Sequence, residues 1–215
     1  MPYAVQPSHF LEDQIGPAHR SLIPTTLRQA YAAADIEARA SPILNVRSAK
    51  DQRGRFRTWS VDLAFQRLID GGRWPFDYDW AEYDQPTGHY LRIRLPQSIM
   101  SISLVDCAKH PPRSVRFREN NALGNADYLF AEMNEEQRIT GFPSFVLTHG
   151  HTEPIFAHIG MAHPTRHRWL YRTPNLMKTP HAVASDVPPV EADDEEAILE
   201  LRERIERTVR DGSRG

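Results

Sequence analysis

Cysteine is nearly absent from this chain: Cys107 is the only one in 215 residues. A lone thiol cannot close an internal disulfide or build a thiolate zinc cluster, which excludes a disulfide-stapled secreted scaffold and a cysteine zinc finger. No run approaches the roughly 18 consecutive apolar residues of a spanning helix. The opening residues, MPYAVQPSHFLEDQ, lack the basic-then-apolar layout of a secretory signal. With the reducing surroundings that a single thiol suits, these absences give the expectation of a cytoplasmic protein with no membrane partner. Phosphate-cradling glycine loops are missing too. GFPSF and GNADY have neither the spacing nor the following Lys-Ser/Thr of such a loop, and no G-x-G-x-x-G occurs, so no nucleotide or dinucleotide cofactor is expected.

Charge of one sign is scarce overall, with a net of −2, but it is unevenly distributed. Residues 183–215 hold ten acids and five arginines, leaving 21 Lys/Arg and 18 acids in the preceding chain. Apolar residues at 40% and charged residues at 25% are ordinary globular usage.

Hydrophobic periodicity organises the first half as helices. Thr26 and Gln29 have capping-box spacing, and Leu27, Ala30, Tyr31, Ala34 and Ala38 then share one face, with Pro42 as the stop. A second helix is expected over Trp59 to Asp70, where Val61, Ala64, Phe65, Leu68 and Ile69 form a stripe that ends at Gly71-Gly72. Short alternating runs follow at His89 to Leu95, Met100 to Val105, Ser114 to Arg118, Phe142 to Thr148, Ile155 to Gly160 and Arg168 to Tyr171. The fold class expected is therefore α+β, with a mostly antiparallel sheet of about five or six short strands and two N-terminal helices. A C-terminal amphipathic helix, with Ile198, Leu201, Ile205 and Val209 in line, completes it. The domain reading is an N-terminal arm (1–20), an α+β body (21–175), a proline-rich then acidic linker (176–194) and the C-terminal helix (195–211). That helix has an apolar stripe flanked by Glu and Arg, suited to a protein partner or to self-association.

Three constellations could carry function. The first is histidine: half of the ten fall at 149, 151, 158, 163 and 167. At the end of a strand His149 and His151 would share a face, and a turn would bring His158 alongside. Three imidazoles plus Glu153, as ligand or general base, would suit zinc or another divalent first-row metal and the activation of a bound water. THGHTEP resembles, over five residues, the T-H-x-H-x-D-H motif of metallo-β-lactamase-fold hydrolases. Glu153 stands where that motif has Asp, Pro154 replaces its last histidine, and too little chain follows to build the rest of that fold, so no activity is carried across.

The second is arginine. Arg47, Lys50, Arg53, Arg55 and Arg57 lie around one basic segment, and Arg92, Arg94, Arg116 and Arg118 take the polar positions of alternating strands. Arginine forks match phosphate oxygens, so these nine residues are the candidate contacts to nucleic acid or another polyanion. The third is GRWPFDYDWAEYD, which in extended form puts Phe76, Tyr78 and Trp80 on one face and Asp77 and Asp79 on the other. It reads as core, as a partner-binding patch that includes Trp74, or as a carboxylate pair for magnesium. Cys107 reads as an inert thiol. The reading that uses most residues is a binding or accessory module for nucleic acid or another polyanion. A small metal-dependent hydrolase and a protein-interaction subunit are the alternatives.

Overall fold

The computed structural model describes residues 6–49, 52–83, 88–126 and 142–180, all within the unit Met1–Ala182. Lys50 and the helix expected over 195–211 lie outside them, and the side chain of Arg53 is likewise not described.

Four helices precede the sheet: α1 (Pro7–Gln14), α2 (Pro17–Arg20), α3 (Ile23–Ala40) and α4 (Gln52–Asp70). Each of α1, α2 and α3 carries proline at its first or second position, where the missing N–H is no loss. The first twenty residues, expected as an arm, form two short helices whose Phe10 and Leu11, with Ile15 just beyond α1, sink into the core. Helix α3 buries Leu27, Ala30, Tyr31 and Ala34, the face its period marks. Helix α4 starts at Gln52 rather than near Trp59, so Arg53, Arg55 and Arg57 sit on its first turns and not in a loop. Its end is sharp: Gly72 adopts φ 67°, the left-handed conformation that glycine takes without strain, and its N–H bonds the carbonyl of Ile69 at 2.8 Å.

Six strands follow in sheet order β1 (Asp77–Glu82), β2 (His89–Arg94), β3 (Ile99–Val105), β4 (Ser144–Gly150), β5 (Ala157–Ala162) and β6 (Trp169–Arg172). All neighbours are antiparallel except β3 and β4, which are parallel from Ile99↔Ser144 to Val105↔Gly150. The architecture is α+β. Helix α5 (Arg116–Leu123) lies in the connection between the parallel strands. It corrects the strand expected at Ser114 to Arg118. Val115 and Phe117 alternate as a strand would, yet burial follows the helical spacing of Phe117, Arg118, Asn121 and Ala122, with Arg116, Glu119, Asn120 and Leu123 exposed.

The sheet has two dissimilar faces. One presents Leu91, Ile93, Met100, Phe145, Leu147, Ala157, Ile159 and Met161 to Leu11, Ile23, Leu27, Val61 and Phe65 of the helices, forming a single core. Burying each large apolar side chain there contributes about 1.5–3 kcal/mol. Buried Gln14 fixes α1 to the β2–β3 turn by accepting from the Gln97 N–H (2.6 Å) and the Ser98 hydroxyl (3.1 Å). The body runs on past 175: the Asn175 amide donates to the Ile155 carbonyl and accepts from the Ala157 and Met177 N–H groups.

The other face packs its centre with small residues. At Gly160 an added Cβ would lie 2.5 Å from the Trp169 ring, which covers that glycine. Gly160→Ala is expected to destabilise the protein by about 1–3 kcal/mol, because the indole has a rigid shape and must shift bodily. Urea unfolding of the two proteins checks this; an unchanged midpoint would mean the ring moves freely.

Candidate functional site

The polar face is legible from the registers. One row runs Asp79, Arg92, Ser101, Val146, Gly160 and Arg172 across all six strands. A neighbouring row runs Ser103, Thr148 and His158. Over this face, from Tyr83 and Tyr90, where Phe117 packs, to β6, lies a cap made of residues 106–126 and the turn 163–168. Trp169 Nε1–H (3.2 Å) and Arg172 both donate to the Ala108 carbonyl, and His167 Nε2–H joins the two segments by donating to the Pro112 carbonyl (3.1 Å). Arg118 of α5 reaches the Ser103 hydroxyl (3.3 Å) and the Arg113 carbonyl (3.0 Å).

The cap is strongly cationic. Lys109, Arg113, Arg116, Arg118, Arg166, Arg168 and, at its β6 edge, Arg172 stand against Asp106 and Glu119. Among the described residues none of the seven pairs with a carboxylate, while Glu119 accepts from the Ser114 hydroxyl. All but Arg118 are exposed. Arg118 is largely buried, its Nε has no partner, and burial, with Arg113 close by, lowers its pKa. Between α5 and the 163–167 turn a cleft of about 420 Å³ opens onto the sheet, floored by Ser101, Ser144 and Val146. His163, on its far wall, accepts from the N–H groups of Thr165 and Arg166, both at 3.1 Å, through Nδ1, so Nε2 carries the proton. Burial, then Arg168 and Arg166, hold its pKa below the usual histidine value.

Of the nine candidate phosphate contacts, Arg116 and Arg118 therefore come together in the cap. Arg92 and Arg94 share the polar face but are held by Asp79, through Arg92 Nε–H at 3.0 Å and an ion pair to Arg94 at 3.3 Å. That pairing lowers the Asp79 pKa, the bond from Arg92 being the largest cause. Arg47 and Arg55 are exposed at the helix layer, and Arg57 is a packing residue there. Arg57 donates to the His151 carbonyl (3.1 Å), pairs with Asp35 (3.5 Å) and lies over the Tyr31 ring. The arginines Arg113, Arg166, Arg168 and Arg172, which complete the cap, sit mostly in irregular segments where no periodicity marks a shared face.

The histidines expected around one metal are not gathered. His149 pairs with Ala157 on the helix-covered face, whereas His158 pairs with Thr148 and faces the other way. His149 is 1% exposed and bonds the Tyr31 oxygen at 2.7 Å, while the Tyr31 hydroxyl donates to the Gly150 carbonyl. His158 Nδ1–H donates to the Thr173 carbonyl (2.8 Å). His151 and Glu153 are exposed in the β4–β5 turn. Among the described residues no three His, Cys, Asp or Glu side chains lie close enough to hold a metal ion. The aromatic run is divided as well. Trp74 is 1% exposed and donates to the His19 carbonyl (2.9 Å), Phe76 and Tyr78 are half-buried against the core, and Trp80 is 45% exposed.

No family model, curated protein or solved structure matches the chain. Among the described residues no helix is long and apolar enough to cross a membrane.

Two buried groups set opposite pH responses. Burial pushes the His149 pKa down to about 4. The unfolded chain therefore binds this proton more readily, and stability falls as pH drops from 6.5 toward 4. Burial pushes Asp62 up to about 7, so here the folded chain binds the proton more readily and stability falls as pH rises from 3.8 toward 7. In the shared window each slope is up to about 1.4 kcal/mol per pH unit. Asp62→Asn should steepen the rise of stability with pH, and His149→Gln should flatten it. Urea midpoints across the window read both; parallel profiles for wild type and both variants would refute the assignment.

Proposed function

We propose that this protein is a binding module for nucleic acid, with the phosphate backbone lying on the basic cap of the polar sheet face. The observation that carries the reading is the set of seven cap cations with no carboxylate partner among the described residues. Elsewhere among the described residues Arg20 meets Glu12, Arg57 meets Asp35, and Arg92 and Arg94 meet Asp79. Cations held together without counter-charges repel one another, so they favour a polyanion that relieves the repulsion and releases its own counterions. Arginine supplies six of the seven, and its planar fork suits phosphate oxygens. Compared with the nine contacts expected from sequence, this surface keeps Arg116 and Arg118 and excludes Arg47, Arg55 and Arg57.

Binding of the full chain to single-stranded RNA and to duplex DNA, measured by fluorescence anisotropy over a salt series, tests the reading. Affinity is expected to fall steeply with salt. Replacing Arg116 and Arg168 with Ala should lower the single-strand slope by about 0.7 for each phosphate that is no longer neutralised, whereas Arg47→Ala/Arg55→Ala leaves it unchanged. Asp79→Asn, which frees Arg92 and Arg94 on the same face, should strengthen binding. Salt-independent binding, or equal weakening by either pair of substitutions, would overturn the proposal.

A further inference from the structure

The cleft beside α5 differs from the open surface of the cap. Its polar lining is rich in hydrogen-bond donors, some engaged within the fold and some free. The Ser101 hydroxyl is on the floor and makes no hydrogen bond among the described residues. Arg118 brings a guanidinium charge, its Nη1 and Nη2 also donating to the Arg113 carbonyl and the Ser103 hydroxyl, and His163 has Nδ1 occupied by two backbone N–H groups, which leaves Nε2–H as a donor. Asn121 adds a side-chain amide, its backbone carbonyl being taken by the Ser144 hydroxyl at 2.7 Å. The acidic residue on the wall, Glu119, is engaged with Ser114. A fork, a hydroxyl, an imidazole N–H and an amide together match the several acceptor oxygens of a phosphate group. Pro111, Pro112 and Val146 give the same cleft apolar sides. At about 420 Å³ it is roomier than one inorganic anion needs and falls within the roughly 300–1,000 Å³ of small-molecule sites.

We infer that this cleft is a mononucleotide subsite, in which Arg118, Ser101 and His163 hold a phosphate and the proline and valine side chains support the attached nucleoside. The inference rests on the nucleic-acid reading of the cap and shares Arg118 with it, while Ser101, His163 and Asn121 belong to the cleft alone. The nucleotide comes either from the end of a strand or free from solution; the chemistry at the cleft is shared, and the two sources are separable.

Titration calorimetry of the full chain with adenosine 5′-monophosphate is the test. Saturable binding with one site per chain is expected. Asn121→Asp places a carboxylate beside Arg118 without truncating any packed group and should weaken binding about tenfold or more, as should Arg118→Lys, which keeps charge but loses the fork. A thermal melt matching wild type confirms that Asn121→Asp folds, so the result does not depend on Arg118, which also braces α5. Arg116→Ala/Arg168→Ala lies outside the cleft and should spare the nucleotide while weakening RNA. Tighter binding of 5′-phosphorylated than of 5′-hydroxyl RNA points to strand ends, and equal binding of the two, with the monophosphate still bound, points to the free nucleotide. RNA binding with no monophosphate binding, or monophosphate binding that Asn121→Asp leaves unchanged, overturns the cleft inference and leaves the cap reading intact. Failure of wild type to bind either ligand overturns both.

Discussion

The parallel pairing of β3 with β4 at the centre of the sheet is the constraint from which the rest of the molecule follows. Antiparallel neighbours can be joined by tight turns, but a parallel pair needs the chain to cross from one end of the sheet to the other. Helices α1, α3 and α4 contribute the apolar layer over one face. The crossover residues 106–126 lie against the opposite face, where Arg118 meets Ser103 and the Ala108 carbonyl meets Trp169 and Arg172. One pairing choice thus puts a long irregular segment over a sheet surface of small polar residues.

That surface is composed for such a cover. Ser101, Ser103, Ser144, Thr148 and Gly160 occupy the far-face positions of the three central strands, and each alternates with a large apolar residue facing the helices. Small side chains let α5 and the Trp169 ring approach closely, and the Ser103 and Ser144 hydroxyls meet polar groups of the cover, Arg118 and the Asn121 carbonyl. Asn125 shows the principle in detail: its side-chain oxygen accepts from the Ser144 N–H at 2.7 Å and its amide donates to the Ala162 carbonyl at 2.9 Å. The end of the cover is thereby tied to two strands at once.

How much of this was legible in the sequence depends on where each residue sits. The stripe from Leu27 to Ala34 and the alternation of Leu91 and Ile93 report their own burial, because 3.6 and 2 are local periods. Ser114 to Arg118 misled because two apolar residues spaced by two fit a strand, and a helix of eight residues has too few turns to outweigh them. The histidines misled differently. His149 and His158 are near in sequence, but the β4–β5 register puts an odd offset between them, and odd offsets reverse the face. Register across a turn depends on the turn's length and geometry, which strand periodicity leaves open. The arginines of the cap carry no period, since Arg113, Arg166 and Arg168 lie outside helices and strands.

Charge accounting by segment also needs the fold before it speaks. The chain before residue 183 holds 21 Lys/Arg and 18 acids, a balance that by itself says little about ligands. Seven of those bases and two of those acids belong to the cap, so 14 bases and 16 acids remain for everything else up to that point, including the acid-rich stretch 127–141. The whole positive excess of the first 182 residues resides in residues 106–126, the 163–168 turn and the end of β6, segments far apart in sequence that the sheet brings together. Proximity strengthens its effect: like charges within about 10 Å feel one another at physiological salt, while the same charges spread over the surface are screened. A basic face of this kind is a product of topology. Its strength is set by the crossover that assembles it, more than by the composition of the chain.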